Sequence, residues 1–344
     1  MSKIKDKQIL VTGSTGFLGS YLLRYLVHEG YIRIRALKRA DSHMDLVADI
    51  KSQIEWIKCD MLDIIGLEDA MQGVQQVYHC AAVVAFDARE FERMRKVNVD
   101  GTANVINAAL HAKVEKFVHV SSIAAIGRTK GSNIVNEATK WERNNFNSEY
   151  AISKYLSENE AWRGLAEGLN VAIVNPSVIL GAGRWDDGPL KFFKLVWKNF
   201  PFYTKSTSGF VDVRDVARFM VHLMESDKTG ERYILNAENL TYQAIMNEIA
   251  TNLNKKRPRI EVTPFIQQLA WRADWLRSRL LGKKPFITRE VARLAMRSFE
   301  YENKKSLSQF DFEYTPIRQT IAETSRQFRE AAENGFESKV LPLV

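Results

Sequence analysis

Residues 8–19, QILVTGSTGFLG, run from a short apolar segment through three glycines into the helical pattern of FLGSYLLRYLVHEG (17–30). A brief apolar run bounded by glycine suits a buried strand, and the longer stretch behind it has helical spacing. Gly13, Gly16 and Gly19 fall on the turn between the two. Glycines there keep the turn tight and let the backbone approach a pyrophosphate, which the positive end of the helix attracts. The spacing G-x-x-G-x-x-G is one residue longer in its first gap than the general dinucleotide fingerprint. A flexible turn is the plain alternative. Placement between strand and helix, with a second apolar run at YIRIRALKR (31–39), favours the nucleotide.

The same rhythm continues along the chain. IEWIKC (54–59), VQQVYHCAA (74–82), KFVHVSS (116–122) and NVAIVNPS (170–177) are short apolar runs with helical stretches between most of them. Strand and helix in alternation predict a parallel sheet covered on both faces, an α/β fold of the Rossmann-type doubly wound kind. After about residue 180 the alternation weakens. We therefore expect a dinucleotide-binding domain over 1–180 and a smaller, mostly helical substrate-binding part over 181–344, with about 210–240 returning to the sheet. The stretches 123–148 and 181–210 read as irregular, which suits binding loops or lids.

The chain has 344 residues, 45% hydrophobic and 26% charged, an ordinary globular profile. Its two cysteines, Cys59 and Cys80, can build no disulfide framework and lack metal-ligand spacing, so a reducing, cytoplasmic setting without a metal is expected. The start, MSKIKDKQILVTG, has no signal-peptide core, and no uncharged apolar run reaches the ~18 residues of a membrane span. The net charge of +8 is local: residues 255–299 hold twelve Lys/Arg against three acids, leaving the remainder at −1. That argues against a nucleic-acid partner.

Strand ends indicate where a ligand would lie, because ligands of such sheets bind beyond the carboxyl ends of the strands. The second strand ends in Lys38 and Arg39, with no acid until Asp41. Cations there accept the extra phosphate of NADP, whereas a carboxylate would hold the NAD ribose. NADP(H) is the expected cofactor and NAD(H) the alternative. Asp60-Met61 follows the third strand, where an acid can receive the adenine amine. Cys80-Ala81-Ala82 ends the fourth, its small residues letting backbone pass beside a cofactor. Ser121-Ser122 ends the fifth. Just beyond, in YAISK (150–154), Tyr150 and Lys154 lie one helical turn apart on one face. An isolated pair of that kind is an ordinary surface pair. In a crevice it is a phenol whose pKa an adjacent ammonium lowers, poised to exchange a proton.

TGSTGFLG, HCAA, VNVDGT (97–102), VSSIAAIG (120–127), YAISK, NPSVILGAG (175–183) and FVDVRDVA (210–217) resemble, in order and spacing, the extended short-chain dehydrogenase/reductases. The tail YENKKSLSQFDFEYTPIRQTIAET (301–324) is similar too, so the resemblance covers nearly the whole chain. The Y-x-x-S-K form, with Ser153, is most similar to the dihydroflavonol reductase and 3β-hydroxysteroid dehydrogenase branch. The resemblance implies Tyr150 as proton donor or acceptor, Lys154 as its activator and ribose ligand, and Ser122, rather than Ser121, as donor to the substrate carbonyl. It also implies a cofactor bed of Gly13, Thr15, Gly16, Phe17, Leu18, Lys38, Arg39, Asp60, Met61, Cys80, Ala81, Ala82, Asn98, Val120, Tyr150, Lys154, Asn175, Pro176, Ser177 and Val178. Asn98 is as much structural as catalytic there. Many relatives carry arginine where Asn175 precedes the proline.

The activity implied is hydride transfer between a nicotinamide and a carbonyl or alcohol. Aromatics of the loops, Phe86, Trp141, Phe146, Trp185, Phe192, Phe193, Trp197, Phe200, Phe202 and Tyr203, suggest an apolar or ring-bearing substrate if they line the site rather than anchor the loops. A sugar-nucleotide epimerase is the second reading, with Arg184, Lys191, Lys194 and Lys205 available for phosphates. A non-catalytic dinucleotide scaffold is the third. Residues 265–286 place Ile266, Leu269, Trp271, Leu276, Leu280 and Leu281 among Arg and Lys, either a lid or a helix resting on anionic lipid. Monomer and homodimer are both compatible with the chain.

Overall fold

The structure is a computed structural model and describes residues 3–128, 132–143, 147–281, 289–294 and 296–343. Phe146 and the 282–286 end of the basic stretch lie outside the described residues. The chain begins with β1 (Ile9–Thr12), α1 (Phe17–His28), β2 (Ile34–Lys38), β3 (Glu55–Lys58), α2 (Ile64–Met71) and β4 (Gln76–His79). Next come α3 (Phe91–Arg95), a π-helical turn (Lys96–Asp100), α4 (Gly101–His111), β5 (Lys116–Val120), β6 (Ile134–Val135), α5 (Glu149–Ala166) and β7 (Val171–Pro176). Then follow β8 (Val178–Leu180), α6 (Lys191–Trp197), β9 (Phe202–Tyr203), β10 (Thr207–Asp212), α7 (Val213–Glu225), β11 (Glu231–Leu235), β12 (Glu238–Thr241) and α8 (Tyr242–Asn252). The C-terminal quarter holds β13 (Ile260–Glu261), α9 (Pro264–Leu281), α10 (Arg289–Leu294), β14 (Glu300–Tyr301), α11 (Lys304–Phe310) and α12 (Ile317–Glu333).

Seven parallel strands form one sheet in the order β11-β7-β5-β4-β1-β2-β3. β1, β4, β5 and β7 are buried on both faces, so adjacent residues of one strand feed different cores. Ile9 and Val11 pack with Tyr21, Leu22 and Leu26 of α1 and Phe219 and Met220 of α7. Leu10 points the other way, to Leu67 of α2, Val105 of α4 and Ala161 of α5. Strand order reverses between β1 and β4, which opens a crevice at their carboxyl ends, the topological switch point of such sheets.

The polypeptide after β7 is woven into this body. β11 joins the sheet edge beside β7, while β8, β10 and β12 form a separate three-stranded sheet. α12 returns to the first core along its whole length through Ile317, Ile321, Phe328 and Ala331. An ion pair locks the join. Arg214, 2% exposed, bonds the buried Asp212 at 2.7 Å and Glu323 of α12 at 2.7 Å, and the Thr320 hydroxyl donates to Asp212.

The stretch 181–210 is folded rather than irregular. It contains α6 and β9 and runs into β10. Its aromatics explain why: Trp185 and Phe193 are almost fully buried, and the Trp185 ring meets Phe328 edge-on at 4.9 Å. Trp197 packs on the same Phe328. These rings anchor the segment to α12 and do not line a crevice. Trp141 likewise stacks on Tyr155 of α5 at 4.2 Å.

Candidate active site

The glycine loop closes against β4. Gly13 has φ +65°, and a Cβ there would lie 2.6 Å from the amide nitrogen of Ala81. A side chain at Gly19 would collide with the Gly13 carbonyl, so Gly19 lets α1 sit tight on the loop. Gly16 is the N-cap of α1 and supplies no side-chain acceptor to the first amide groups of the helix. A Cβ at Gly16 would meet only the Gly13 carbonyl, at 3.1 Å, so that flank of the loop is open. An open glycine flank and uncapped amides at a helix N-terminus fit a dinucleotide pyrophosphate.

The remaining residues expected for the cofactor stand at the ends of strands and on the turns that follow them. Lys38 ends β2 and Arg39 is exposed beside it, its guanidinium 3.1 Å from Asp41. Exposed Asp60 accepts the amide of Leu62, and buried Met61 packs on Gly101. Cys80 and Ala81 border Gly13, Ala82 is exposed, and Phe17 meets Tyr21 edge-on. Thr15, with Leu18 on the same turn, offers its carbonyl to Arg184. Pro176 ends β7, the Ser177 amide donates to Leu235, and Val178 pairs with Phe210. Asn98 faces away from the loop opening. Its amide group holds both the amide and carbonyl of Val83 and donates to Ser153 at 3.1 Å, tying the segment after β4 to α5.

Tyr150 and Ser122 come together. The phenol, half-buried at the start of α5, shares a hydrogen bond with the Ser122 side chain. Ser148 caps α5 and fixes its first turn, and Ser122 caps the short turn after β5. Phe86 flanks Tyr150 with ring centroids 5.9 Å apart. One turn deeper, Lys154 is 2% exposed and donates to the Val120 carbonyl at 2.8 Å.

The electrostatics differ from the sequence expectation. Burial pushes the Tyr150 phenol above its ordinary value, and the Ser122 hydrogen bond opposes that rise. Lys154 is turned to Val120 rather than to the phenol, so its charge does not offset the burial. Burial also holds Lys154 down at about 8, with the charge of Glu158 pulling it back up.

Glu158, missed in the sequence, organises the floor of the site. It is 2% exposed and accepts from Ser121 at 2.5 Å, Asn175 at 2.7 Å and Arg232 at 3.0 Å. Asn175 also donates to the Ser122 carbonyl at 3.0 Å, so one carboxylate braces the strand ends that carry Ser122 and Lys154's acceptor. The available signal was spacing: Tyr150, Lys154 and Glu158 repeat every four residues on one helix face. Behind them, His79 bridges Thr12 of β1 at 2.7 Å and Thr102 of α4 at 3.0 Å, and Thr102 meets Ser157 of α5 at 2.9 Å. Burial holds His79 neutral, at about 3. This neutral relay sets α5 against the switch point.

The model of the NAD dependent epimerase/dehydratase family matches residues 9–236. The chain belongs to that family. Over 328 residues it is 30% identical to the "Putative dihydroflavonol 4-reductase" of Synechocystis sp. (strain ATCC 27184 / PCC 6803 / Kazusa), spanning 93% of this chain and 94% of that protein. It is 26% identical over 344 residues to Cinnamoyl-CoA reductase 1 of Petunia hybrida, spanning 96% and 94%. The crystal structure of gox2253 superposes with a TM-score of 0.80 at 29% identity, covering 94% of this chain and 98% of that one. As a family member with reductase relatives along its whole length, the chain is an NAD(P)-dependent oxidoreductase of the short-chain dehydrogenase/reductase type.

Proposed function

We propose that this family member interconverts a ketone or aldehyde and the corresponding alcohol on an apolar or ring-bearing small molecule, with NADP(H) preferred. The observation that carries this reading is the half-buried Tyr150 phenol, hydrogen-bonded to Ser122 with Lys154 one turn below, at the same carboxyl edge of the sheet as the glycine loop.

The reduced nicotinamide, when bound, supplies the hydride. In carbonyl reduction Tyr150 gives its proton to the substrate oxygen as negative charge grows there, and in alcohol oxidation it takes that proton back. Ser122 directs its hydroxyl at the same oxygen and steadies the developing charge. Burial raises the phenol, which suits a proton donor. The Ser122 hydrogen bond limits how far the resulting phenolate is disfavoured, and Lys154, kept cationic by Glu158, stays one turn below it on the Val120 carbonyl. Gly13, Gly16 and the first amides of α1 would hold the pyrophosphate, and Lys38 and Arg39, the latter exchanging its bond to Asp41, would hold the 2′-phosphate.

The apolar side of the reading rests on Phe86 beside the phenol and on Val84, 58% exposed on the same segment. Most of the cations that a sugar nucleotide would require are committed elsewhere: Arg184 to Asp45, Lys194 to Asp186 and Lys205 to Glu261. That weighs against an epimerase. The test follows NADPH absorbance over aromatic, steroid-like, aliphatic and sugar-nucleotide carbonyls. Consumption in step with alcohol formed from a ring-bearing carbonyl is expected. Turnover of a sugar nucleotide without net cofactor consumption would overturn the proposal, and so would cofactor binding without turnover on any carbonyl.

A further inference from the structure

Helix α9 turns an apolar stripe outward. Among the described residues, twelve large apolar side chains are exposed, and five of them, Phe265, Leu269, Trp275, Leu276 and Leu280, sit on this one helix. At about 100° per residue, Phe265, Leu269, Leu276 and Leu280 fall within an arc of about 60°. They are 72%, 55%, 52% and 76% exposed. The face toward the body is half-buried and mixed, with Ile266, Ala270 and Trp271 beside Gln267, Asp274 and Ser278. A helix held only by a core contact has no second apolar stripe on its outer face.

Charge identifies what covers the outward face. Arg272 and Arg279 border the apolar stripe on one side and Arg277 on the other. Arg272 lies over the Trp271 ring at 4.6 Å, and Arg279 lies over Trp275 at 5.5 Å. The single acid of the helix, Asp274, is turned toward the body and bonded to Arg277. A second copy related by a two-fold axis would bring these arginines against their equivalents with no outward acid between them. An anionic bilayer meets both features, since apolar side chains enter the headgroup boundary while the flanking guanidinium groups stay among phosphates. No helix among the described residues is long and apolar enough to cross a membrane, so the contact is one of lying on the surface.

We propose that α9 docks the protein on an anionic lipid surface, with Phe265, Leu269, Leu276 and Leu280 inserted and Arg272 and Arg279 on headgroups. α9 packs on α10, and Glu290 of α10 accepts the Glu149 amide at 2.7 Å, at the start of the helix that carries Tyr150. The membrane-facing helix therefore adjoins the end of α5 where the site opens.

The test is co-sedimentation of the full chain with vesicles of equal parts phosphatidylserine and phosphatidylcholine, against pure phosphatidylcholine, at low salt. Binding to the first and not the second is expected. Each arginine near an anionic surface adds about fivefold, so R272Q/R279Q should weaken binding about 25-fold. L276E/L280E should abolish it, with NADPH turnover in solution unchanged for both variants. Failure to sediment with the anionic vesicles overturns the proposal. So does a dimer in sedimentation velocity that L276E/L280E dissolves, which would assign the face to a second copy.

Discussion

Replacing Glu158 by glutamine tests whether this carboxylate governs the site through Lys154. The change keeps shape and one acceptor but removes a charge that holds Ser121, Asn175 and Arg232 and opposes the desolvation of Lys154. Breaking one partner of a buried ion pair costs about 3–5 kcal/mol. Arg232 keeps the carbonyls of Glu137 and Thr139, so about 2–3 kcal/mol is the expected loss of stability. The effect on the lysine is more diagnostic. With its pKa at about 8, roughly nine in ten Lys154 side chains are charged at pH 7. Every ~1.4 kcal/mol of lost attraction lowers that value by one unit, leaving about half charged, and a second unit leaves about a tenth. The alkaline limb of kcat/KM, which reports the free enzyme, should therefore move down by about one to two units in E158Q and return partway in E158D. Urea titration establishes that both variants are folded. A folded E158Q with an unmoved alkaline limb would refute the argument, because a purely structural role would lower stability and leave the limb in place.

The other predictions concern neighbouring parts of the site. Tyr150→Phe should lower turnover about 10²–10⁴-fold and leave NADPH affinity, measured by fluorescence titration, nearly unchanged. Replacing Lys38 and Arg39 together by alanine removes the proposed 2′-phosphate ligands; charge-assisted hydrogen bonds contribute about 1.5–3 kcal/mol, so NADPH should bind about 10–100-fold more weakly while NADH is unaffected. Lys154→Met should abolish turnover yet stabilise the fold at pH 7: burying the charge costs about 3 kcal/mol from the fall of 10.5 to about 8, and leaving the Val120 carbonyl unpaired takes back about 1–3. Because the folded pKa lies below the unfolded one, that cost is present below about pH 8 and disappears as pH rises towards 10.5, so the midpoint advantage of the methionine variant should fade across that window.

What the sequence made legible follows from which interactions are local. Strands covered on both faces read as continuous apolar runs, and the glycine turn at 12–19 must be small wherever the rest of the chain goes, so sheet and loop could be read directly. The aromatics of 181–210 could not. Trp185, Phe193 and Trp197 pack on Phe328, more than a hundred residues away, and that contact separates a loop anchor from a pocket wall. Helical periodicity showed that α9 is two-faced, but not which face the body would take. The body takes the face of Ile266, Ala270, Trp271 and Asp274, and the stripe from Phe265 to Leu280 is left outside. The phenol's raised pKa was hidden for a similar reason. Four-residue spacing puts Tyr150 and Lys154 on one face, yet the Val120 carbonyl, delivered by β5, captures the ammonium.

Spacing did hold one more piece of information, in the run from Tyr150 through Lys154 to Glu158. Each four-residue step turns about 40° around the helix and climbs about 6 Å, so the three groups descend from the crevice into the floor beneath it. Depth assigns the roles. At the rim the half-buried phenol can meet a substrate oxygen, one turn down the ammonium is dry enough for its charge to be conditional, and another turn down the carboxylate supplies that condition while bracing β5, β7 and β11. On the proposed reading, an acid in the third position of such a series, on a helix packed against the carboxyl ends of parallel strands, acts on chemistry two turns above it without touching the substrate, and the alkaline limb of E158Q is the readout of that action.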